Sequence, residues 1–413
     1  MNVTSIAPFY LPDIPLQNAC PGQFFSQSLG RPFNDQAISF LHKLSRHLLA
    51  HSEINKYPEL VALAFWLRKS NINKIYRDFQ KILGENEIVS PRGVAFHVSP
   101  SNVDGIFIYS WALSLLSGNI NIIRVSQNLS EQQNFLFSAL QTIMQSNDHH
   151  DIKKSNIVLT YPHDAEISSF FTERSDIRIL WGGDETVQLF RSLPSQPTTK
   201  DISFADKSSH CIIDSKTYNS VNLEKANEIA RLFYNDAYWF SQMACSSPRT
   251  VYFVGNVDEC RVSSERFWRN LAEELQRRET VDTMPNAMNK FIFLHRSVCE
   301  GLAISSHSSL NYNKPTVVRV SDAHHVNMET HCGGGFFFET FLEDLSQLGP
   351  LVQPKDQTLS YFGFDKRNLR NFASKLGKRG LHRIVPIGQS LDFSTTWDGY
   401  VLLTELTQRI SIL

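Results

Sequence analysis

The chain has 413 residues, 42% of them hydrophobic and 20% charged, which is the composition of a globular protein with room for two or three packed domains. Its 40 Lys and Arg residues nearly balance 41 Asp and Glu residues, so the formal net charge is -1 and no chain-wide basic field is present to hold a nucleic-acid backbone. The first residues lack the basic segment and apolar run of a signal peptide, so we expect a cytoplasmic protein that does not bind nucleic acid.

Residues 1–90 alternate helical stretches with loops. Apolar residues recur every three or four positions over Asp35–His51 and again over Pro58–Leu83. This spacing places the apolar side chains on one face of a helix. The sequence therefore predicts a helical N-terminal region over 1–90.

From residue 91 the pattern changes to short apolar runs, each followed by a longer helical stretch. The predicted strands are Val94–Val98, Ile120–Val125, Ile157–Thr160 and Ile177–Trp181. Repeated strand–helix units indicate a doubly wound parallel sheet, here over 91–207. The apolar stretch Gly105–Leu116 falls short of the ~20 residues that a bilayer crossing needs, so it predicts a buried helix and no membrane span.

A second strand–helix series covers 208–380. It contains a predicted strand at Cys211–Ile213, a helix at Leu223–Phe233 and a strand at Thr250–Val254. We expect a separate α/β domain here. The tail 381–413, with the strand-like Arg383–Pro386 and a predicted closing helix, is expected to return to the first domain or to form an oligomer interface.

The six cysteines are scattered without a C-x-x-C pair, which in a cytosolic chain argues against both disulfides and a zinc site. We expect free thiols. The patch containing His324, His325, His331 and Cys332 lacks the regular spacing of metal ligands, so a polar loop is the favoured interpretation and no metal is expected.

Cys245 is the strongest candidate for a nucleophile. It lies between a predicted helix and a predicted strand, and its small neighbours Ala244, Ser246 and Ser247 leave the sulfur approachable. Pro248 ends any helix, and backbone N–H groups beside the sulfur could stabilise both a thiolate and an oxyanion. The alternative is a small buried hydrophobe, the usual role of a free cysteine.

The Cys-Ser-Ser-Pro segment at 245–248 resembles that of acyl-CoA reductases such as the fatty acid reductase component of bacterial bioluminescence, a divergent branch of the aldehyde dehydrogenases. Colinear motifs are far more specific than any one motif. Further segments are similar to this family in the same order along the chain: His97–Val103, Leu116–Asn119, Ile122–Ser126, Trp181–Glu185, Gln357–Gly363, Arg383–Gly388 and Trp397–Tyr400. The resemblance implies an aldehyde dehydrogenase-like fold with two doubly wound parallel-sheet domains, one nucleotide-binding and Rossmann-like over 91–207 and one catalytic over 208–380.

The resemblance also implies roles for two polar residues. Asn102 occupies the position from which aldehyde dehydrogenases donate an amide N–H to the tetrahedral oxyanion, although it could instead cap the helix that starts near Asp104. Ser203 stands where hydrolysing members carry their general-base Glu. A serine hydroxyl does not accept a proton from water near neutral pH, so reduction is favoured over hydrolysis unless Asp206 or another residue acts as the base.

The cofactor-binding residues are likewise implied by the resemblance. Gly182 and Gly183 stand between a strand and a helix, where superfamily members bring the pyrophosphate to a helix N-terminus, although a plain turn is the alternative. Arg124 and Ser126 follow the strand that in relatives ends at the adenosine ribose, and an Arg there favours the 2′-phosphate of NADPH, with NADH as the alternative. Glu339 is the candidate for the nicotinamide ribose.

The resulting hypothesis is a cysteine-dependent reductase that converts an activated acyl group to a fatty aldehyde with NAD(P)H. Its expected partners are an acyl-CoA or other acyl thioester, an acyl-activating or acyl-transferring protein, and further copies of the chain. Two alternatives stay open: acyl transfer from Cys245 without redox chemistry, and an inactive scaffold. Cofactor binding and thiol labelling distinguish these three functions.

Overall fold

The computed structural model describes residues 1–100, 105–307, 314–320, 328, 331–377 and 380–413. The chain divides into two compact units. The first comprises Met1–Ala205 and Phe393–Leu413, and the second comprises Asp206–Asp392. Residues 1–90 are therefore part of the unit that contains residues 91–205. The chain returns to the first unit after residue 392, whereas the sequence suggested a boundary after residue 380.

A seven-stranded sheet forms the centre of the first unit. Its strands, numbered along the chain together with the short strand β3 (Glu87–Pro91), are β1 (Asn2–Ala7), β2 (Leu11–Pro15), β4 (Val94–Val98), β5 (Ile120–Arg124), β6 (Asn156–Thr160), β7 (Ile177–Trp181) and β8 (Lys200–Phe204). Their spatial order is β2-β1-β6-β5-β4-β7-β8. The five strands β4 to β8 run parallel, and β1 joins antiparallel to both β2 and β6.

The winding of this sheet reverses at β4. The chain passes from β4 through β5 to β6 on one side, then crosses to β7 and β8 on the other side. In open parallel sheets, ligands bind outside the carboxyl ends of the strands at such a switch point. The edge formed by the ends of β4 and β7 is therefore the expected binding edge.

Helices cover the first unit's sheet. They are α1 (Leu16–Ala19), α2 (Gly22–Phe25), α3 (Asp35–Ala50), α4 (Pro58–Trp66), α5 (Lys69–Gln80), α6 (Ile106–Leu116), α7 (Glu131–Met144), α8 (His150–Ser155), α9 (Ala165–Thr172) and α10 (Asp184–Ser192). Every residue of α6 is buried, as the sequence predicted for this apolar stretch. No helix in the described ranges combines the length and apolarity needed to cross a bilayer.

The N-terminal helices α3, α4 and α5 are confirmed, with two differences from the sequence interpretation. The periodic stretch Pro58–Leu83 is broken at Arg68, whose backbone is extended (φ -61°, ψ 142°) and starts a new helix. Residues 2–15 form strands rather than helices, because their hydrogen bonds extend the sheet beyond β6.

The second unit contains another seven-stranded sheet. Its strands are β9 (Ser208–Asp214), β10 (Pro248–Val254), β11 (Ala303–His307), β12 (Thr316–Val320), β13 (Phe336–Leu342), β14 (Asp356–Phe362) and β15 (Arg383–Pro386), in the order β11-β12-β13-β10-β9-β14-β15. All neighbours are parallel except β11 and β12. The helices are α11 (Ser215–Ser220), α12 (Leu223–Tyr238), α13 (Val257–Arg277), α14 (Met284–Cys299), α15 (Leu348–Leu351) and α16 (Lys366–Lys375). The prediction of two doubly wound α/β sheets is confirmed.

The last residues of the chain belong to the first unit and end in a strand instead of the predicted closing helix. They form β16 (Thr396–Trp397), β17 (Tyr400–Val401), the short helix α17 (Leu402–Glu405) and β18 (Thr407–Ser411). Strand β18 pairs antiparallel with β3. Arg92 fixes this ribbon, since its guanidinium donates to the carbonyls of Glu405 (2.7 Å) and Thr407 (2.8 Å).

Candidate active site

A crevice of about 640 Å³ lies at the carboxyl ends of β4, β5, β6 and β7, within the first unit. Arg124 and Ser126 line it from the end of β5, and Gly182 and Gly183 line it from the end of β7. The structure thus brings together the four residues of this unit that the sequence suggested for cofactor binding. Their assignment as cofactor ligands stays a prediction.

Arg124 is held in the crevice by an aromatic ring. Its guanidinium carbon lies 5.0 Å from the centroid of Tyr161, and its buried Nε has no hydrogen-bond partner among the described residues. Tyr161 and His163, which also line the crevice, follow β6 as Arg124 follows β5. The sequence analysis missed both. The rule that the ends of parallel strands share one edge could have found them.

The two glycines have different roles at the start of α10. A side chain on Gly182 would place its Cβ 3.0 Å from the Cβ of Thr186, so close packing excludes larger residues there. Gly183 is the N-cap of α10 and offers no side chain to the free N–H groups of the first turn. That turn carries Asp184 and Glu185, which already place negative charge near the helix N-terminus.

Ser203 lies in β8, within the first unit. Its hydroxyl accepts a hydrogen bond from Nη2 of Arg191 (3.1 Å), which belongs to α10. A hydroxyl held by a guanidinium does not act as a base at neutral pH. Ser203 therefore offers no general base, and its correspondence to the catalytic Glu expected from the sequence stays a prediction.

In the second unit, Cys245 is half-buried in the loop between α12 and β10. Ser209 donates its hydroxyl to the carbonyl of Cys245 (2.6 Å) and accepts from the N–H of Thr358 (3.1 Å). The fully buried Gln242 donates to the carbonyls of Pro248 (2.9 Å) and Phe336 (2.8 Å). These side chains tie the loop that carries Cys245 to four neighbouring strands, β9, β10, β13 and β14.

The glycine run Gly333–Gly335 packs against the same loop. The N–H of Gly334 donates to the carbonyl of Ser241 (2.8 Å), and the N–H of Gly335 donates to Oε1 of Gln242 (2.9 Å). All three glycines have positive φ, and a Cβ on Gly333 would lie 2.7 Å from Sδ of Met243. The run is glycine-rich because other residues would be strained and would displace the loop that carries Cys245.

The other thiols differ from Cys245 in their surroundings. Burial raises the pKa of Cys20 and of Cys332 to about 12, and it also raises the pKa of Cys211 and Cys260. A thiol that resists ionisation is a poor nucleophile. Cys299 is exposed at the end of α14 and serves as a natural control for reactivity.

Arg249, four residues after Cys245, is the positive charge of this site. Burial lowers the pKa of its guanidinium, and electrostatic interactions with Cys245, Asp206 and Cys332 oppose that shift, so these groups lie within electrostatic range of it. Its Nη1 donates to the carbonyl of Met328 (3.0 Å). A positive charge near a thiol favours the thiolate, although at Cys332 burial outweighs this effect and raises the pKa. The sequence analysis did not single out Arg249.

A profile of the acyl-CoA reductase (LuxC) family matches residues 69–292, more than half of the chain. This chain belongs to the acyl-CoA reductase family. It is 26% identical over 345 residues to the long-chain acyl-protein thioester reductase of Photorhabdus laumondii, a match that covers 78% of this chain and 64% of that protein. It is 28% identical over 204 residues to the enzyme of the same name from Aliivibrio fischeri, covering 49% and 38%. The matches thus span less than two thirds of these relatives.

Solved structures resemble this acyl-CoA reductase family member in fold. Aldehyde dehydrogenase 21 from Physcomitrella patens has a TM-score of 0.64 at 13% identity, covering 96% of this chain and 88% of that one. An oxidoreductase from Marinobacter aquaeolei has a TM-score of 0.68 at 12% identity, covering 100% and 94%. The predicted aldehyde dehydrogenase-like fold is confirmed.

Glu339 lies in the core of this acyl-CoA reductase family member. It is fully buried in β13. Its Oε1 accepts from Nε and Nη2 of Arg319 (both 2.8 Å), and its Oε2 accepts from Ser264 (2.7 Å) and the indole of Trp268 (2.8 Å). A carboxylate occupied at both oxygens has little capacity left for a ribose hydroxyl. These hydrogen bonds argue against the ribose contact expected for Glu339, which stays a prediction.

Two expectations from the sequence involve residues outside the described ranges. Asn102, the proposed oxyanion donor, lies outside the described residues, as do His324 and His325. Within the described ranges, no group of three His, Cys, Asp or Glu residues is arranged to hold a metal ion. Burial and the nearby positive charge of Arg249 hold the pKa of His331 well below its usual value, and its Nδ1 accepts from the N–H of Gly333 (3.1 Å).

Replacing Arg249 should slow alkylation of Cys245 at neutral pH. Arg249→Met removes the neighbouring positive charge, so we expect a loss of roughly tenfold, the effect of about one pKa unit on a thiolate population. Iodoacetamide labelling of Cys245 across a pH series, read by mass spectrometry, measures it. Arg249→Lys should keep most of the rate, and Arg261→Met, which alters an exposed side chain of α13, should have no effect. An unchanged pH profile in Arg249→Met contradicts the assignment.

Proposed function

We propose that this protein reduces an activated acyl group, delivered as an acyl-CoA or another acyl thioester, to an aldehyde. The observation that carries the proposal is a half-buried thiol, Cys245, in a hydrogen-bonded loop within electrostatic range of the half-buried cation Arg249. Membership of the acyl-CoA reductase family supports the reaction type. The name of the Photorhabdus relative, a long-chain acyl-protein thioester reductase, supports a fatty acyl substrate.

The reaction begins at the sulfur of Cys245. Its thiolate attacks the carbonyl carbon of the acyl donor, a new C–S bond forms, the donor's C–S bond breaks, and the donor thiol leaves with a proton from solvent. Arg249 favours the thiolate before attack. The backbone N–H of Cys245 and the amide of Asn102 are the proposed donors to the oxyanion.

The crevice of the first unit is the proposed site for NADPH. The buried and unpartnered Nε of Arg124 fits a phosphate ligand, since an Arg held by an aromatic ring rather than a carboxylate keeps its donors for an anion. When bound, NADPH would supply a hydride to the carbonyl carbon of the thioester on Cys245. The oxyanion formed on the acyl group would then collapse, breaking the C–S bond and releasing the aldehyde and the Cys245 thiolate. NADH is the alternative cofactor.

Ser203 supports the reductive direction. Hydrolysis of the thioester on Cys245 needs a base that activates water, and Ser203 is bonded to Arg191. Asp206, the other candidate base, is exposed and lies within electrostatic range of Arg249. The acyl-enzyme should therefore persist until it is reduced.

The proposed function is tested by mixing the protein with acyl-CoAs of graded chain length and NADPH. Loss of NADPH absorbance with trapping of one aldehyde per cofactor consumed is the expected result. An acyl adduct on Cys245 that is never reduced, or that passes to an added thiol without consuming NADPH, would establish acyl transfer instead. Failure of Cys245 to react with acyl-CoA or iodoacetamide would indicate a scaffold.

Arg124→Ala should weaken NADPH binding by roughly ten- to a hundredfold, because a hydrogen bond to a charged group contributes about 1.5–3 kcal/mol. NADH, which lacks the 2′-phosphate, should lose less affinity. Titration of cofactor fluorescence measures both. Arg174→Ala is the matched control, since Arg174 also lies over an aromatic ring, that of Phe170 (4.0 Å), but outside the crevice. Equal losses for the two cofactors would remove Arg124 from phosphate recognition.

A further inference from the structure

A second cavity of the first unit, with a volume of about 840 Å³, is lined mainly by basic side chains. It lies between α3 and the start of α5, beside Ile143 of α7, and it shares no lining residue with the cofactor crevice. Its basic residues are His42, Lys43, Arg46, His47, Arg68 and Lys69, and none of its lining residues is an Asp or Glu. We call it the basic groove.

The charges of the basic groove are largely uncompensated. Among the described residues, only one side chain of the groove forms an ion pair with a carboxylate within 4 Å. This side chain is Lys43, which contacts Asp148 at 2.6 Å, and both residues are well exposed. The guanidinium of Arg68 lies 3.8 Å from the ring centroid of Phe65 and is oriented without an acid. In a chain whose formal net charge is -1, this concentration of one sign needs an explanation.

The start of α5 adds to the positive field. Its N-cap, Arg68, makes no side-chain hydrogen bond to the helix, and the N–H of Lys69 donates to Nδ1 of His42 (3.4 Å), which carries no negative charge. The first turn contains no acidic residue but does contain Lys69. A helix N-terminus favours negative charge, so cations placed there are unfavourable until an anion joins them. Helix α16 is the contrast. It begins with Lys366 and Arg367, but its N-cap Asp365 accepts from the N–H of Asn368.

We propose that the basic groove binds the phosphate groups of a polyanionic ligand. Arginine forks match phosphate oxygens in a bidentate manner, lysine adds point charge, and the positive end of the α5 dipole favours an anion. Two sources share this chemistry, namely a soluble phosphate ester and the headgroup of an anionic lipid. The proposal is independent of the reductase function, because it uses neither Cys245 nor the crevice.

The direct test is calorimetric titration with inorganic pyrophosphate. Arg46→Ala/Lys69→Ala should lower pyrophosphate affinity at least tenfold. The matched control, Lys366→Ala/Arg367→Ala, removes two adjacent cations at the start of the capped helix α16 and should leave affinity unchanged. All four side chains are exposed, so both double variants should fold. An equal loss of affinity in both double variants overturns the proposal. It is also overturned if the unmodified protein binds neither pyrophosphate nor the phosphatidylglycerol vesicles described below.

Vesicle sedimentation separates the two sources. Binding to phosphatidylglycerol vesicles but not to phosphatidylcholine vesicles, abolished in Arg46→Ala/Lys69→Ala, supports a lipid headgroup. Pyrophosphate binding without vesicle binding supports a soluble phosphate ester. Binding of a poly-glutamate peptide in place of both phosphate probes would overturn the phosphate assignment, since carboxylates would then be sufficient.

Discussion

Cys245→Ala should abolish formation of the acyl-enzyme and with it all aldehyde production, while NADPH binding is retained. The sulfur is the only atom of the side chain that can carry the acyl group, so the loss should be complete rather than graded. The loop should persist without it, because Ser209 bonds to the carbonyl of residue 245 and Gln242 bonds to other backbone groups. Cys245→Ser should behave similarly, since an alkoxide is far harder to form than a thiolate.

Mass spectrometry after mixing with acyl-CoA in the absence of cofactor measures this result. The unmodified protein should gain one acyl group in the peptide that contains Cys245, and Cys245→Ala should gain none. Cys299→Ser is the control, because Cys299 is the exposed thiol. If the adduct maps to Cys299 or to Cys332 instead, the nucleophile has been assigned to the wrong loop.

The sequence was sufficient for the elements that depend on local pattern. Val94–Val98 and Ile177–Trp181 were predicted to the residue, because strands covered on both faces are nearly continuous apolar runs, interrupted here only by His97 and Arg178. The crevice was also predictable in part, since Arg124 and Gly182 each follow such a strand. By contrast, Asn2–Ala7 is a strand only because β6 offers a free edge to it, which local pattern does not encode.

The site residues that the sequence analysis missed depend on packing between distant segments. In the sequence Arg249 is an ordinary strand residue, whereas in the structure its guanidinium lies within electrostatic range of Cys332 as well as Cys245. Glu339 is the opposite case, a residue that the sequence suggested for the cofactor site and that the structure places in the core. It follows a glycine run in the sequence. In the structure, Arg319 on the adjacent strand and Trp268 on α13 donate hydrogen bonds to its carboxylate. Neither partner is close to Glu339 in sequence.

We expect Glu339→Ala to lower the free energy of unfolding more than any other single substitution proposed for the second unit. It leaves the guanidinium of Arg319 without its carboxylate and removes the acceptor of both Ser264 and Trp268. Breaking a buried ion pair by removing one partner costs about 3–5 kcal/mol. The double variant Glu339→Leu/Arg319→Met removes both charges and should recover much of that loss, because apolar replacements leave no charge unpaired.

Urea unfolding followed by circular dichroism measures the free energy of unfolding of each variant. Glu300→Gln is the matched control, since its pair with Arg296 (2.7 Å) is exposed and should contribute at most about 1 kcal/mol. Glu339→Gln keeps the shape of the side chain but loses the charge, so it should be destabilised yet bind NADPH with unchanged affinity once folded. If Glu339→Gln is instead as stable as the unmodified protein and binds NADPH more weakly, Glu339 returns to the cofactor site and the core assignment is wrong.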